Sequence, residues 1–304
     1  MVVRSYNSFD VIRLLAAMQV VFFHSYAHLK LQPFFGGTYL YDILASLPGV
    51  PIFFVVSGFL ITQSFDRSIG LGSFYKKRLL RVYPALIVNI LLIESFVIAF
   101  DQHKFIQSTI STFIQYELLY MLTAASNVAS YVLPVKFVSP TGSFFAMYPS
   151  GVLWTLSVEL SFYLFLPLIL SLFNKRKSKC IFVCCLGILS FLFTYLFVDD
   201  VKSGYPQFYA FLSLTFLPYF WMFSVGVLMA LMWDKITITG VKLYVILFGL
   251  IVLMLLLSTY RSSPWVSWKY LVDFYSMAYL LVLCVFIAVS DNKCNFREGQ
   301  PADI

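Results

Sequence analysis

This sequence is short of charge. Asp, Glu, Lys and Arg supply 12% of its 304 residues, about half the share found in ordinary soluble domains, and that excludes a conventional soluble globule. Histidine is rarer still, at three residues, so few side chains can change charge near neutral pH. The five cysteines show no metal-ligand spacing. Cys180, Cys184, Cys185 and Cys284 lie in or beside apolar runs and Cys294 lies in the tail. They read as buried small hydrophobes, which leaves no cysteine metal centre and no compact disulfide framework. No small-x-small cleavage site follows the first apolar run, so that run is expected to stay as a helix rather than leave as a signal peptide. Nor is there a visible inverted repeat of the kind that marks many transporters.

Long hydrophobic runs take the place of charge. Hydrophobic residues make up 61% of the chain and aromatics 19%. Eight runs approach the roughly 20 residues that cross a bilayer: about 9–28, 44–64, 82–100, 151–173, 180–198, 208–232, 243–260 and 270–290. The expected fold is all-α, a polytopic transmembrane helix bundle forming a single membrane-embedded domain over 1–304. The net charge of +7 sits between the runs. Arg4, Lys76, Lys77, Arg78, Arg81, Lys175, Arg176, Lys177, Lys179, Lys235, Lys242, Lys293 and Arg297 all fall on one side, which the positive-inside rule makes cytoplasmic, together with both termini. The opposite connections contain Asp101, Asp199, Asp200 and Asp273. This charge marks topology in a lipid bilayer, not a nucleic-acid surface.

Residues 101–150 form a long external connection. Phe105 to Ala125 is moderately apolar but interrupted by Gln107, Ser111, Gln115 and Glu117. A ninth span there would move Lys175–Lys179 outside, so a surface-lying amphipathic helix or a re-entrant piece fits better. Pro167 and Pro218 fall inside spans, where neighbouring groups can satisfy the freed carbonyls.

The scarce ionisable groups are where chemistry is expected, because at membrane depth they face a protein interior or a wet cavity. Arg13 and His24 stand eleven positions apart in the first run, about 16 Å along one helix face, and Asp10 precedes Arg13 by one turn. His24, near the external end, can take a proton and return it; a hydrogen-bonded bundle histidine is the structural alternative. Arg13, near the internal end, suits an anionic group or pairing with Asp10. Arg78 and Arg81, three apart, make a fork suited to phosphate oxygens, or ordinary positive-inside charge as for Lys76 and Lys77. Ser57, Gly58 and Phe59 suit close helix packing. Glu159 lies about eight residues into its span, on the His24 side, where a carboxylate can orient an imidazole; pairing with Arg13 is the alternative. Trp154 and Tyr163 flank it as an interfacial and a core aromatic, with sugar stacking a further role for Trp154. Glu94 carries no motif.

Four stretches, taken together, resemble acyltransferase family 3, integral-membrane enzymes that O-acylate extracytoplasmic sugars in bacteria. They are Phe9-Asp10-Val11-Ile12-Arg13 running on to His24; Gly49 to Ile61, with Ser57-Gly58-Phe59; Arg78-Leu79-Leu80-Arg81-Val82-Tyr83-Pro84; and Trp154-Thr155-Leu156-Ser157-Val158-Glu159, running on to Phe162-Tyr163. They occur in the family's order within roughly the first 170 residues. The resemblance implies that His24 is catalytic, as base or as acyl carrier; the depth of Glu159 favours a place beside it. The resemblance also implies that Arg78 and Arg81 contact the phosphates of a coenzyme A thioester, and Arg13 is expected along the same path.

The chain departs from the family near its end. The last apolar run stops at Ser290 and the tail 291–304 is short and polar. A compact member, or a truncated and inactive relative without the last helices, is expected. The function implied is transfer of an acyl group, expected to be acetyl, from cytoplasmic acetyl-CoA to a hydroxyl of a lipid-linked or surface glycan, O-antigen or another exopolysaccharide, at the bacterial inner membrane. Acetyl-CoA enters as substrate, and neither a resident cofactor nor a metal is expected. A secondary transporter or glycan-precursor exporter explains the bundle equally well but not the ordered motifs.

Overall fold

The computed structural model describes residues 7–29, 49–100, 121–122 and 153–233, and among them there is no strand. The chain forms α1 (Asn7–Leu29), α2 (Gly49–Asp66), α3 (Leu71–Phe100), α4 (Trp154–Ser171), α5 (Arg176–Leu196), α6 (Val198–Gly204), α7 (Pro206–Leu212), a single 3-10 turn (Leu217–Tyr219) and α8 (Phe220–Met232). Three of these, α2, α4 and α5, are long and apolar enough to cross a membrane. The all-helical, membrane-embedded class expected from the sequence is therefore present in the described residues. The expected spans 243–260 and 270–290, both termini, and the external connection apart from residues 121–122 lie outside them.

Two boundaries differ from the hydrophobic pattern. The third helix begins at Leu71, well before the apolar run at 82, so Lys76, Lys77, Arg78 and Arg81 are helical residues. Apolarity marks where lipid begins, whereas a helix starts wherever its backbone is satisfied; here the Phe74 amide bonds back to the Gly70 carbonyl at 3.0 Å. The expected continuous span 208–232 is instead broken between α7 and α8. Pro218 has no amide hydrogen to continue a helix, and side chains satisfy the backbone around it. Ser190 donates to the Leu217 carbonyl at 2.6 Å and Thr194 to the Pro218 carbonyl at 2.7 Å, while the Phe216 amide donates to Ser161 at 2.8 Å. Pro167 sits inside α4 without ending it.

The chain divides into two compact units, Met1–Thr62 with Met222–Ile304, and Gln63–Trp221. The first is held by close helix contact. Gly58 lies against the Phe223 carbonyl and Gly226 against the Val55 carbonyl, so a β-carbon at either position would overlap main chain. Absence of side chains lets the two backbones approach. Stacked rings flank this contact, with Phe54–Phe223 and Phe9–Phe59 centroids each 4.7 Å apart. In the second unit Phe162 packs beside Phe216 and Phe220. The Tyr75 hydroxyl donates to the Leu164 carbonyl at 3.1 Å, which ties the start of α3 to the middle of α4.

α5 opens on Arg176, Lys177 and Lys179 with no acidic residue in its first turn. Cations at a helix N-terminus oppose the helix dipole, so helix stability does not account for them. These residues lie near the end of α2, since Lys179 and Arg176 both act electrostatically on Asp66.

Candidate functional site

The first unit contains one end of the expected stripe. Arg13 on α1 donates through Nη2 to the Ser57 hydroxyl on α2 at 3.1 Å. Ser57 is buried, so this is a charged group bonded to a neutral acceptor inside the helix contact, where such bonds are stronger than in water. The sequence reading gave Ser57 and Gly58 to packing. Gly58 makes the close approach to α8, whereas Ser57 also serves as a partner for the arginine. Nothing in the spacing of positions 13 and 57 announces that pairing, because it depends on how α1 and α2 lie together. Asp10 and His24 belong to α1, but their side chains lie outside the described ones.

The second unit builds a more developed arrangement around Arg78. On α3 Arg78 is 7% exposed, whereas Lys76, Lys77 and Arg81 are all exposed. Its guanidinium lies 5.9 Å from the centre of the Phe74 ring and 5.8 Å from that of Tyr163. Two aromatic faces thus supply part of the stabilisation that water would otherwise give a cation. The Tyr163 hydroxyl, for its part, donates to Glu159 Oε1 at 2.7 Å. Arg78, Tyr163 and Glu159 are thus linked from α3 into α4, first by a ring contact and then by a hydrogen bond.

Arg78 precedes the apolar part of α3. Burial draws its pKa down from the ordinary value, Tyr163 opposes the shift, and the nearby cation of Arg81 adds to it. An arginine so placed still keeps its proton at physiological pH. Its Nε is buried and finds no hydrogen-bond partner among the described residues. A buried cation with a donor to spare is suited to an anion that arrives with the ligand.

The sequence reading paired Arg78 with Arg81 as equals and set Glu159 at the level of His24. Arg78 and Arg81 are close enough to repel, yet one is buried and the other is exposed. Tyr163, one helical turn away, bonds to Glu159; the i to i+4 spacing of the two on α4 is the available signal. Trp154 packs against Tyr219 with centroids 5.4 Å apart.

The geometry can be set beside known proteins. The family model of an acyltransferase domain matches residues 6–297. Nodulation protein 10 of Rhizobium leguminosarum bv. viciae is 39% identical over 232 residues, covering 76% of this chain and 61% of that protein. The O-acetyl transferase of Shigella phage Sf6 is 32% identical over 146 residues, covering 43% of each chain. The O-acetyltransferase OatA of Staphylococcus aureus (strain NCTC 8325 / PS 47) is 31% identical over 137 residues, covering 42% of this chain and 21% of that protein. The chain thus spans less than two thirds of the length of these relatives. No solved structure matches it.

Proposed function

The chain belongs to the acyltransferase family 3, whose domain its sequence matches from residue 6 to residue 297, and on that footing we propose that it is a membrane O-acyltransferase acting on a glycan. The donor in this reading is a coenzyme A thioester, acetyl-CoA, reached from the cytoplasmic face of the inner membrane. The acceptor is a hydroxyl of a lipid-linked or extracytoplasmic polysaccharide, O-antigen or exopolysaccharide in class. Two relatives carry O-acetyl transfer in their names, which supports acetyl as the group moved and oxygen as its destination.

The observation that carries the reading is the match over nearly the whole chain, joined to a buried arginine with a donor still to place. Arg78 is assigned to the donor's phosphates, with a lesser share for the exposed Arg81; Arg13, on α1, is assigned separately to an anionic group of the donor. His24 is assigned the proton. As the acceptor oxygen bonds to the acyl carbonyl carbon, the imidazole takes the hydroxyl proton. The carbon–sulfur bond breaks, coenzyme A leaves as thiolate, and the imidazolium returns the proton to sulfur. Atoms and charge balance without a further reactant.

The test is turnover by full-length protein reconstituted in liposomes with acetyl-CoA and lipid-linked glycan from the host. Release of coenzyme A thiol in step with acetyl on the glycan is expected. Glycan moved across the membrane with the thioester left intact overturns the reading in favour of an exporter.

A further inference from the structure

We propose that Glu159 is a positioning residue of the donor end of the site: its carboxylate fixes the Tyr163 hydroxyl, and Tyr163 fixes the Arg78 guanidinium in the orientation that receives the donor's phosphates. This rests on the assignment of Arg78 to the donor.

Three observations meet here. The 2.7 Å bond between Tyr163 and Glu159 lies within α4, so the hydroxyl's direction is set by one helix before α3 is considered. The same Tyr163 is 5% exposed and presents its ring to Arg78 at 5.8 Å. Phe74 also stands at 5.9 Å from the guanidinium. Two rings restrict where the cation can lie, and the hydroxyl's bond to Glu159 holds one of them in place.

The link runs in two steps. The Tyr163 hydroxyl gives its proton to the carboxylate, and the ring so held stands against the guanidinium. The charge of Glu159 still reaches Arg78 and favours its charged form. The interposed tyrosine matters chemically. A carboxylate bonded directly to Arg78 would neutralise it and compete with phosphate for the same N–H groups. One tyrosine away, it orients the cation and leaves its charge available to an incoming anion. Glu159 thereby acts on the donor without touching it.

The experiment titrates acetyl-CoA against full-length protein in liposomes, reading KM and kcat separately, with binding of coenzyme A itself by calorimetry as a second measurement. For Tyr163→Phe, which keeps the ring, KM for acetyl-CoA should rise about ten-fold with kcat changed less than about two-fold, as expected for loss of a hydrogen bond to a charged group. Glu159→Ala should do the same. Glu159→Gln, which keeps an acceptor oxygen for the tyrosine, should rescue most of the loss. The double variant Tyr163→Phe with Glu159→Ala should be no worse than either alone, because both cut one chain. Lys77→Ala serves as the control on an exposed neighbour.

A fall in kcat at unchanged KM for Glu159→Gln would overturn the proposal and assign Glu159 to the chemical step. Additive effects in the double variant would also overturn it. Wild-type protein that transfers the acyl group yet binds coenzyme A equally well with Arg78→Ala would instead overturn the donor assignment on which the proposal stands. Calorimetry keeps these outcomes separate even for a variant that no longer turns over.

Discussion

At the scale of single residues, burial separates side chains that the sequence presents as equivalent. Arg78 and Arg81 belong to one motif, yet Arg78 is 7% exposed and Arg81 is exposed. Which of two arginines turns inward depends on where α4 lies against α3, and that information is distributed over both helices. A graded response follows. Arg78→Lys should weaken apparent donor affinity about ten- to hundred-fold, because an ammonium keeps the charge but loses the planar fork and the stacking between rings. Arg81→Lys should have a smaller effect, and Lys77→Ala less than either, in acetyl-CoA titrations of the reconstituted protein. Equal small changes in all three would reduce Arg78 to topological charge. His24 is the other residue on which the chemistry is placed. His24→Ala should abolish glycan acylation while leaving membrane insertion and expression intact. Acetyl content of the polysaccharide from a complemented deletion strain measures it, and wild-type acetylation would remove His24 from the mechanism.

At the scale of elements, the decisive features are glycines and polar side chains inside apolar helices. Gly58 and Gly226 each meet a carbonyl of the facing helix, and main chain cannot swing aside as a side chain can. Gly226→Val should therefore destabilise the first unit by about 1–3 kcal/mol or more, the range for overpacking without room to relax. A lower thermal midpoint in detergent, with stronger loss than for Gly72→Ala in open space, is the expected result. A Gly226→Val protein as stable as wild type would mean the helices are not in this contact. The sequence made Gly58 legible as a packing residue because it sits in a motif; Gly226 carries no motif and was passed over. The broken helix around Pro218 was likewise illegible as a break. Hydrophobicity runs unbroken through 208–232, and what satisfies the backbone there is Ser161, Ser190 and Thr194, on helices distant in sequence. Periodicity reports what faces lipid or core, but not which remote hydroxyl completes a turn.

At the scale of the whole molecule, what matters is the side of the membrane on which each connection lies. Helical class was legible because charge is scarce and apolar runs have spanning length, two properties that need no tertiary information. Sidedness is an expectation from where the cations gather, and one relation in the structure bears on it. Asp66 closes α2 and is influenced by Lys179 and Arg176 at the start of α5, while the basic residues of α3 begin only ten positions after Asp66, at Lys76. Both basic clusters therefore attach to the same end of the second unit. Single cysteines at Lys77→Cys, Lys177→Cys and Ser143→Cys, in a background freed of the five native cysteines, should separate accordingly. An impermeant maleimide applied to intact cells should label the Ser143→Cys variant, and should reach the other two only after the membrane is opened. Labelling at Lys177→Cys with protection at Lys77→Cys would mean that the connection between α3 and α4 crosses the membrane once more than the charges imply. Glu159 would then approach from the opposite side, and the chain from Glu159 through Tyr163 to Arg78 could not join two helices that start from the same face.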